Sequence, residues 1–250
     1  MTSKLLSFLD DLLTMAGAEA LRAMDDLHVD QKSDGSLVTD LDRSIERLLV
    51  TALRKEFPTA GIIGEEGADR AGSGQQIYID PIDGTEVLVR GMAYWGPAIS
   101  VVEDGELVAG AFYLPVLGKM YTAARGEGAF ENGRRLQLVD HNRGDNASMF
   151  VSSRFHQAPS SWWTGKTRSL GSTAAHLALV ACGTADAAFV PGWSFWDVGC
   201  GALMIREAGG VVLGLDGHEA DLVHTPDLPF VAGAPTACRR MVAAVAASKE

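Results

Sequence analysis

The chain has 250 residues, 47% of them hydrophobic and 21% charged, and a formal net charge of −11; this suits a soluble globular protein with a sizeable core. A pI near 5 and the lack of any basic run or stripe exclude general binding to nucleic acid or anionic membranes. Cys182, Cys200 and Cys238 are odd in number and lack CxxC spacing, which argues against a disulfide framework or a zinc site and fits the reducing cytoplasm.

No apolar run reaches the ~18 residues of a membrane span. The opening "MTSKLLSFLDDLLTM" carries Asp10 and Asp11 where a signal peptide would be apolar. Leu5, Leu9, Leu12, Leu13, Ala16 and Ala20 recur at helical spacing and predict a first helix. A second begins near Thr39, with Leu41, Ile45, Leu48, Leu49, Ala52 and Leu53 as its apolar stripe, and Pro58 stops it. "AGIIGEE" reads as a short buried strand ending at glutamates, and "QIYID" as a strand ending at Asp80. Asp104-Gly105 and Asn132-Gly133 each mark a hairpin between β runs.

The polar stretch "DHNRGDNA" is the best internal boundary, giving halves of 1–145 and 146–250 within one catalytic unit. Beyond it we expect a strand at 149–152 and a helix from Ser172 to about Cys182, with Gly183 as its stop. A strand "ADAAFV", a helix from about Asp197 to Ala208 and strands "VVLGL" and "FVAGA" follow, then a last helix with Pro235 in its first turn. The order lacks strict βαβα alternation, so the fold class is layered α+β.

Carboxylates gather where strands end. Asp80 and Asp83 flank Pro81-Ile82, and Gly84-Thr85 follows at once. Two carboxylates and the Ile82 carbonyl form the oxygen set that a hard divalent cation takes. Gly84 and Thr85 would open a helix, whose free N–H groups can seat a phosphate. The same residues could be an ordinary capped turn, and Glu65-Glu66 a solvated loop. Both groups follow apolar β runs, however, so they can meet at one sheet edge, where a cation would relieve their repulsion. Asp197, far along the chain, is either a helix N-cap or one more carboxylate for the same place.

"GEEG", "YIDPIDGT" and "WDVGCGALMIREAGG", in that order, resemble the inositol monophosphatase family of Mg²⁺-dependent, lithium-sensitive phosphatases. The similarity spans nearly the whole chain and implies an α/β/α/β/α layered sandwich and, commonly, a homodimer. Carried over by position, it implies Glu65, Asp80, the Ile82 carbonyl, Asp83 and Asp197 as ligands of two or three Mg²⁺. Thr85 would orient and deprotonate the attacking water, with Asp42 hydrogen-bonded to its hydroxyl and Glu65 beside it. Asp83, Gly84, Thr85, Thr173 and Asp197 would contact the phosphate and its ester. Asp42 also fits a capping box with Thr39.

Two departures bear on the substrate, expected to be a small phosphorylated metabolite. Glu86-Val87-Leu88 stands where the family often continues Thr-Asn-Phe. Val190 stands seven residues before Asp197, where inositol-specific members carry a Glu that accepts sugar hydroxyls; losing that acceptor weakens discrimination for a polyol. "VLVRGMAYW" is similar to a run in histidinol-phosphate phosphatases. A 3′-phosphoadenosine 5′-phosphate phosphatase, with Arg154 or Arg168 near the second phosphate, and a non-catalytic metal-binding or interaction module are the alternatives. His176 reads as a satisfied core histidine, Cys200 as packing, and Trp162-Trp163 as the cap of a core edge, a lid or a dimer contact.

Overall fold

The structure, a computed structural model, describes residues 2–24, 26–225 and 228–248. Helix α1 (Thr2–Ala23) leads to the hairpin β1 (Val29–Gln31) and β2 (Leu37–Thr39), then α2 (Asp40–Glu56). Next come β3 (Gly61–Gly64), β4 (Asp69–Arg70), β5 (Gln75–Asp83), the one-turn α3 (Thr85–Val89), β6 (Gly96–Glu103) and β7 (Glu106–Leu114). β8 (Lys119–Ala124), β9 (Gly128–Glu131) and β10 (Arg134–Arg135) complete an eight-stranded sheet of order β10-β9-β8-β7-β6-β5-β3-β4. After the exposed polar stretch come β11 (Ser148–Phe150), β12 (Lys166–Arg168), α4 (Thr173–Ala181), β13 (Ala187–Val190) and α5 (Phe195–Glu207). β14 (Val211–Gly214), β15 (Phe230–Gly233) and α6 (Pro235–Ala247) follow, and a five-stranded sheet runs β12-β11-β13-β15-β14.

The layers follow from burial patterns. Leu9, Leu13, Ala16, Ile45, Leu49 and Leu53 are fully buried where α1 and α2 cover one face of the large sheet. Each such leucine contributes about 1.5–3 kcal/mol relative to an exposed one. Helices α4 and α5 lie between the two sheets; they are apolar nearly all round, as a helix flanked by sheets must be. Helix α6 covers the outer face of the small sheet. The sequence α1α2, sheet, α4α5, sheet, α6 is the expected α/β/α/β/α sandwich. Close approach of α5 depends on Gly110, where a Cβ would lie 2.8 Å from that of Cys200.

Most sequence-predicted elements are present, with the turns Asp104-Gly105 and Asn132-Gly133 at positive φ as hairpins of this type require. Three details differ. The strand predicted to end at Asp80 runs on to Asp83, because a bulge between these residues keeps β5 paired with β6 as far as Gly96. The helix expected from about Asp197 starts at Phe195, so Ser194 is the N-cap and Asp197 is the third helical residue. The helix after Gly84 is a single turn. Hairpin β1–β2 carries no alternating apolar pattern and was not expected from sequence.

Candidate active site

The site is built where the carboxyl ends of β3 and β5 meet the N-termini of α2, α3, α4 and α5. Thr39 caps α2 in a capping box: its hydroxyl accepts from the Asp42 N–H, and the Thr39 N–H donates to Asp42 Oδ2 at 2.8 Å. That leaves Asp42 Oδ1 to accept from the Thr85 hydroxyl at 2.8 Å. Gly84, at φ +96°, turns the chain from β5 into α3; an L side chain is strained there. Thr85 thus stands at the first position of a turn of helix, where N–H groups have no carbonyl behind them.

The carboxylates arrive from separate directions. Asp80 is 2% exposed, with Oδ1 accepting from the Ile82 N–H. Asp83 faces the start of α4: the Ser172 hydroxyl donates to Oδ2 at 2.6 Å, and the N–H groups of Ala174 and Thr173 donate to Oδ2 and Oδ1. Asp197 Oδ2 accepts from the Ser194 N–H at 2.9 Å. Glu65 follows directly on β3 and accepts from the Lys32 ammonium at 2.9 Å; the same ammonium donates to Glu66 at 2.6 Å. One cavity of about 410 Å³ is lined by Glu65, Asp80, Ile82, Asp83, Gly84, Thr85, Thr173 and Asp197. Of the sequence-predicted site residues only Asp42 is not on its wall; it reaches the cavity through Thr85.

The charges in this cavity oppose one another. Burial, then the charges of Glu65, Asp83 and Asp197, hold the Asp80 carboxyl well above the usual carboxylate range. Burial raises Asp83 to about 6 in spite of the Ser172, Ala174 and Thr173 hydrogen bonds. Burial and the Asp83 charge push Asp197 up to about 8. Asp42 is raised by burial, against the hydrogen bonds from Thr39 and Thr85. Lys32 resists the cost of its own burial because Glu65 and Glu66 hold it charged. Carboxylates that repel at this depth, with oxygens and no sulfur or imidazole among them, fit a hard divalent cation. They face a common cavity and not a common point: among the described residues no three Asp, Glu, His or Cys side chains are drawn in closely enough to enclose an ion.

Sequence reasoning missed two residues that shape the site. Glu46, 6% exposed on the buried face of α2, accepts from the N–H groups of Glu66 and Ala68 and so sets the loop that presents Glu65. Its signal was there: Asp42 and Glu46 are carboxylates at i and i+4 on an apolar stripe. Lys32, at the tip of the hairpin β1–β2, had no spacing to identify it. Glu86 adds less charge than its position suggests, since Arg90 pairs with it at 2.9 Å. Trp163 is buried and donates to the Lys166 carbonyl, which makes it a core edge, while Trp162 packs edge-on against Phe189. Cys200 is fully buried in packing, as expected.

Residues 1–247 match the model of the inositol monophosphatase family. The chain is 34% identical over 213 residues to a Nus factor SuhB of Xylella fastidiosa, covering 80% of this chain and 77% of that protein. It is 35% identical over 209 residues to a histidinol-phosphatase of Mycobacterium tuberculosis, covering 77% and 79%. The solved Thermotoga maritima IMPase TM1415 superposes with a TM-score of 0.89 at 28% identity, covering 98% of this chain and 97% of that one. No helix among the described residues is long and apolar enough to cross a membrane. Fold, ordered motifs and relatives agree: the chain belongs to the inositol monophosphatase family of metal-dependent phosphatases, which act on small phosphorylated substrates.

Proposed function

We propose that the chain is a cytoplasmic, homodimeric, Mg²⁺-dependent phosphomonoesterase. Its substrate is a small phosphorylated metabolite: an inositol phosphate, histidinol phosphate or a similar monoester. The observation that carries this reading is the shared wall: Glu65, Asp80, Asp83 and Asp197 line the same cavity as Thr85 and the Gly84 backbone. In this reading Glu65, Asp80, the Ile82 carbonyl, Asp83 and Asp197 hold two or three Mg²⁺. When bound, such cations lower the pKa of the attacking water, clamp the phosphate oxygens and neutralise the leaving alkoxide.

The chain's own residues do the remaining work. Because Thr85 Oγ1 donates to Asp42, its lone pairs are free to accept a proton from the attacking water and fix that water's direction. Asp42 then receives the Thr85 proton, and its raised pKa makes it a better acceptor than an exposed aspartate. Glu65 lines the same cavity as a further carboxylate for the same water. The N–H groups of Gly84 and Thr85 cradle the phosphate, with Thr173, Asp83 and Asp197 bounding the ester.

The test is phosphate release from a panel of monoesters with and without Mg²⁺, beside Asp80→Asn. We expect Mg²⁺-dependent turnover that the substitution abolishes. Folded protein that binds Mg²⁺ and hydrolyses no ester would support the non-catalytic alternative instead.

A further inference from the structure

One wall of the acidic cavity is a loop. Residues 169–172 join β12 to α4, and Gly171 and Thr173 of this stretch line the cavity. The same stretch grips Asp83. The Ser172 hydroxyl donates to it at 2.6 Å while accepting from the Ala175 N–H at 3.1 Å, and the Thr173 and Ala174 N–H groups donate to it as well. Gly171, at φ +82°, lies so close to α3 that a Cβ there would stand 2.4 Å from Val87 Cγ2. Whatever fixes this loop therefore fixes Asp83, the cavity wall and the seating of the helix that carries Thr85.

The fixing group is a side chain. The Leu170 N–H donates to His176 Nε2 at 2.8 Å. After Thr173, His176 is the one residue of α4 that is not apolar. It is 6% exposed, and its ring stacks on Phe150 of β11, with centroids 5.0 Å apart and planes 5° from parallel. Helix and strand together thus hold the ring in place, and its nitrogen reaches back past the helix start to the loop. An imidazole nitrogen that accepts must carry no proton. Burial keeps it so by lowering the pKa to about 4, and no other titratable side chain lines the small cavity beside the ring.

We infer that His176 is a positioning residue for the hydrolysis: through Leu170 it holds residues 171–173 against Asp83 and so keeps one wall of the acidic cavity in register. This rests on the phosphatase reading above and deepens it. His176 acts at one remove, since its ring bonds to the loop and not to Asp83. A leucine at this position would pack as well in an apolar helix, but it would leave the Leu170 N–H without an acceptor and the loop without its anchor. The Ser172 hydroxyl serves two partners at once, so a small drift of the loop loosens both. Misplacement of a reacting geometry by about 1 Å costs up to about 10² in rate.

The experiment compares His176→Leu, which removes the acceptor, with His176→Gln, which keeps one. Both are assayed in the full chain with Mg²⁺, on the monoester that the wild-type protein hydrolyses fastest, well below either variant's unfolding temperature. We expect kcat/KM to fall at least about tenfold in His176→Leu, chiefly through kcat, and to be largely restored in His176→Gln. Amide hydrogen exchange without divalent cation gives a second readout. Leu170, Thr173 and Ala174 should exchange at least about tenfold faster in His176→Leu, with Leu179, Val180 and Ala181 at the far end of α4 unchanged. In ¹⁵N-labelled wild-type protein, a coupling across the hydrogen bond between the Leu170 nitrogen and His176 Nε2 should be seen directly. Unchanged kcat/KM in folded His176→Leu, equal losses in both variants, faster exchange spread evenly along α4, or no such coupling would overturn the inference and leave the phosphatase reading standing. No phosphate release by the wild-type protein from any ester would overturn the phosphatase reading instead, while the exchange rates and the coupling would still decide what anchors the loop.

Discussion

The hydroxyl of Thr85 and the carboxylate of Asp42 are 43 residues apart in sequence and 2.8 Å apart in space. Asp42 gives its other oxygen to the capping box with Thr39. The two contacts open at the sequence level, the helix cap and the hydrogen bond to Thr85, are therefore both made, one oxygen each. They are separable by mutation. Thr85→Val should lower kcat by about 10² or more, the typical worth of a positioned proton acceptor, and cost about 1–3 kcal/mol by leaving the buried Asp42 Oδ1 without its donor. Thr39→Ala should cost about 1 kcal/mol of stability, as lost N-caps do, and leave most of the activity. Initial rates and denaturant unfolding on the two variants check the split.

The acidic cavity sets an unusual pH dependence. Asp83 titrates near 6 and Asp197 near 8, against an ordinary value of 3.8. Between pH 4 and 8 the folded chain without cation retains protons that the unfolded chain has released. Its stability from these groups is therefore full at low pH and falls as pH rises through 6 and 8. In the proposed function Mg²⁺ would replace those protons, so the gain in Tm on adding Mg²⁺ should be larger at pH 8 than at pH 5. Calorimetry with EDTA and with Mg²⁺ measures both slopes, and Asp197→Asn should flatten the metal-free one. A Mg²⁺ effect that shrinks as pH rises would contradict this account.

His176 acts with the opposite sign. Its folded pKa of about 4 lies below the ordinary 6.5. The unfolded chain takes up a proton first, and stability is lost as pH falls from 6.5 towards 4, by up to about 3 kcal/mol for a shift of this size. His176→Gln should remove that part of the acid sensitivity while keeping an acceptor for the Leu170 N–H. Unfolding midpoints of both proteins at pH 7 and pH 4.5 give the difference directly.

Packing between the layers offers a further test. A Cβ at Gly110 would lie 2.7 Å from the Cys200 Cα. The clash is with helix backbone, which cannot turn aside, so Gly110→Ala should cost about 1–3 kcal/mol. The loss should appear in thermal unfolding. It should also lower activity, since α5 carries Asp197 on the same rigid element.

Much of this was legible in the sequence, for identifiable reasons. Helix α2 was readable because its leucines keep a 3.6-residue period and Thr39 and Pro58 bound it. Asp80 and Asp83 were readable as a candidate pair because they follow an apolar β run with Gly84-Thr85 at once behind, whereas Asp197 read equally as a helix cap until the family resemblance placed it beside them. What stayed hidden depends on contacts between distant segments. No local pattern says that the Lys32 ammonium reaches Glu65 and Glu66, 33 and 34 residues on. The extension of β5 past Pro81 was hidden because Pro normally ends pairing, whereas a bulge accommodates it here. The role of Ser172 against Asp83 needed the two sheets to be docked before it could be seen.

That docking has a kinetic side. Asp83 is held by Ser172, Thr173 and Ala174, which lie 89, 90 and 91 residues later in the chain. The large sheet contains only residues up to Arg135, so its hairpins can pair from short-range contacts before α4 and α5 arrive. Contacts of such sequence separation form slowly, because loop closure must be met before they reward it. Until then Asp197 stays apart from Glu65, Asp80 and Asp83, which the pairing of β3 with β5 already brings together, and the cavity lacks the wall formed by Thr173 and Asp197. Recovery of catalytic competence should therefore lag behind recovery of β-structure after dilution from denaturant, so that regained turnover reports the final docking of the molecule's two sheets.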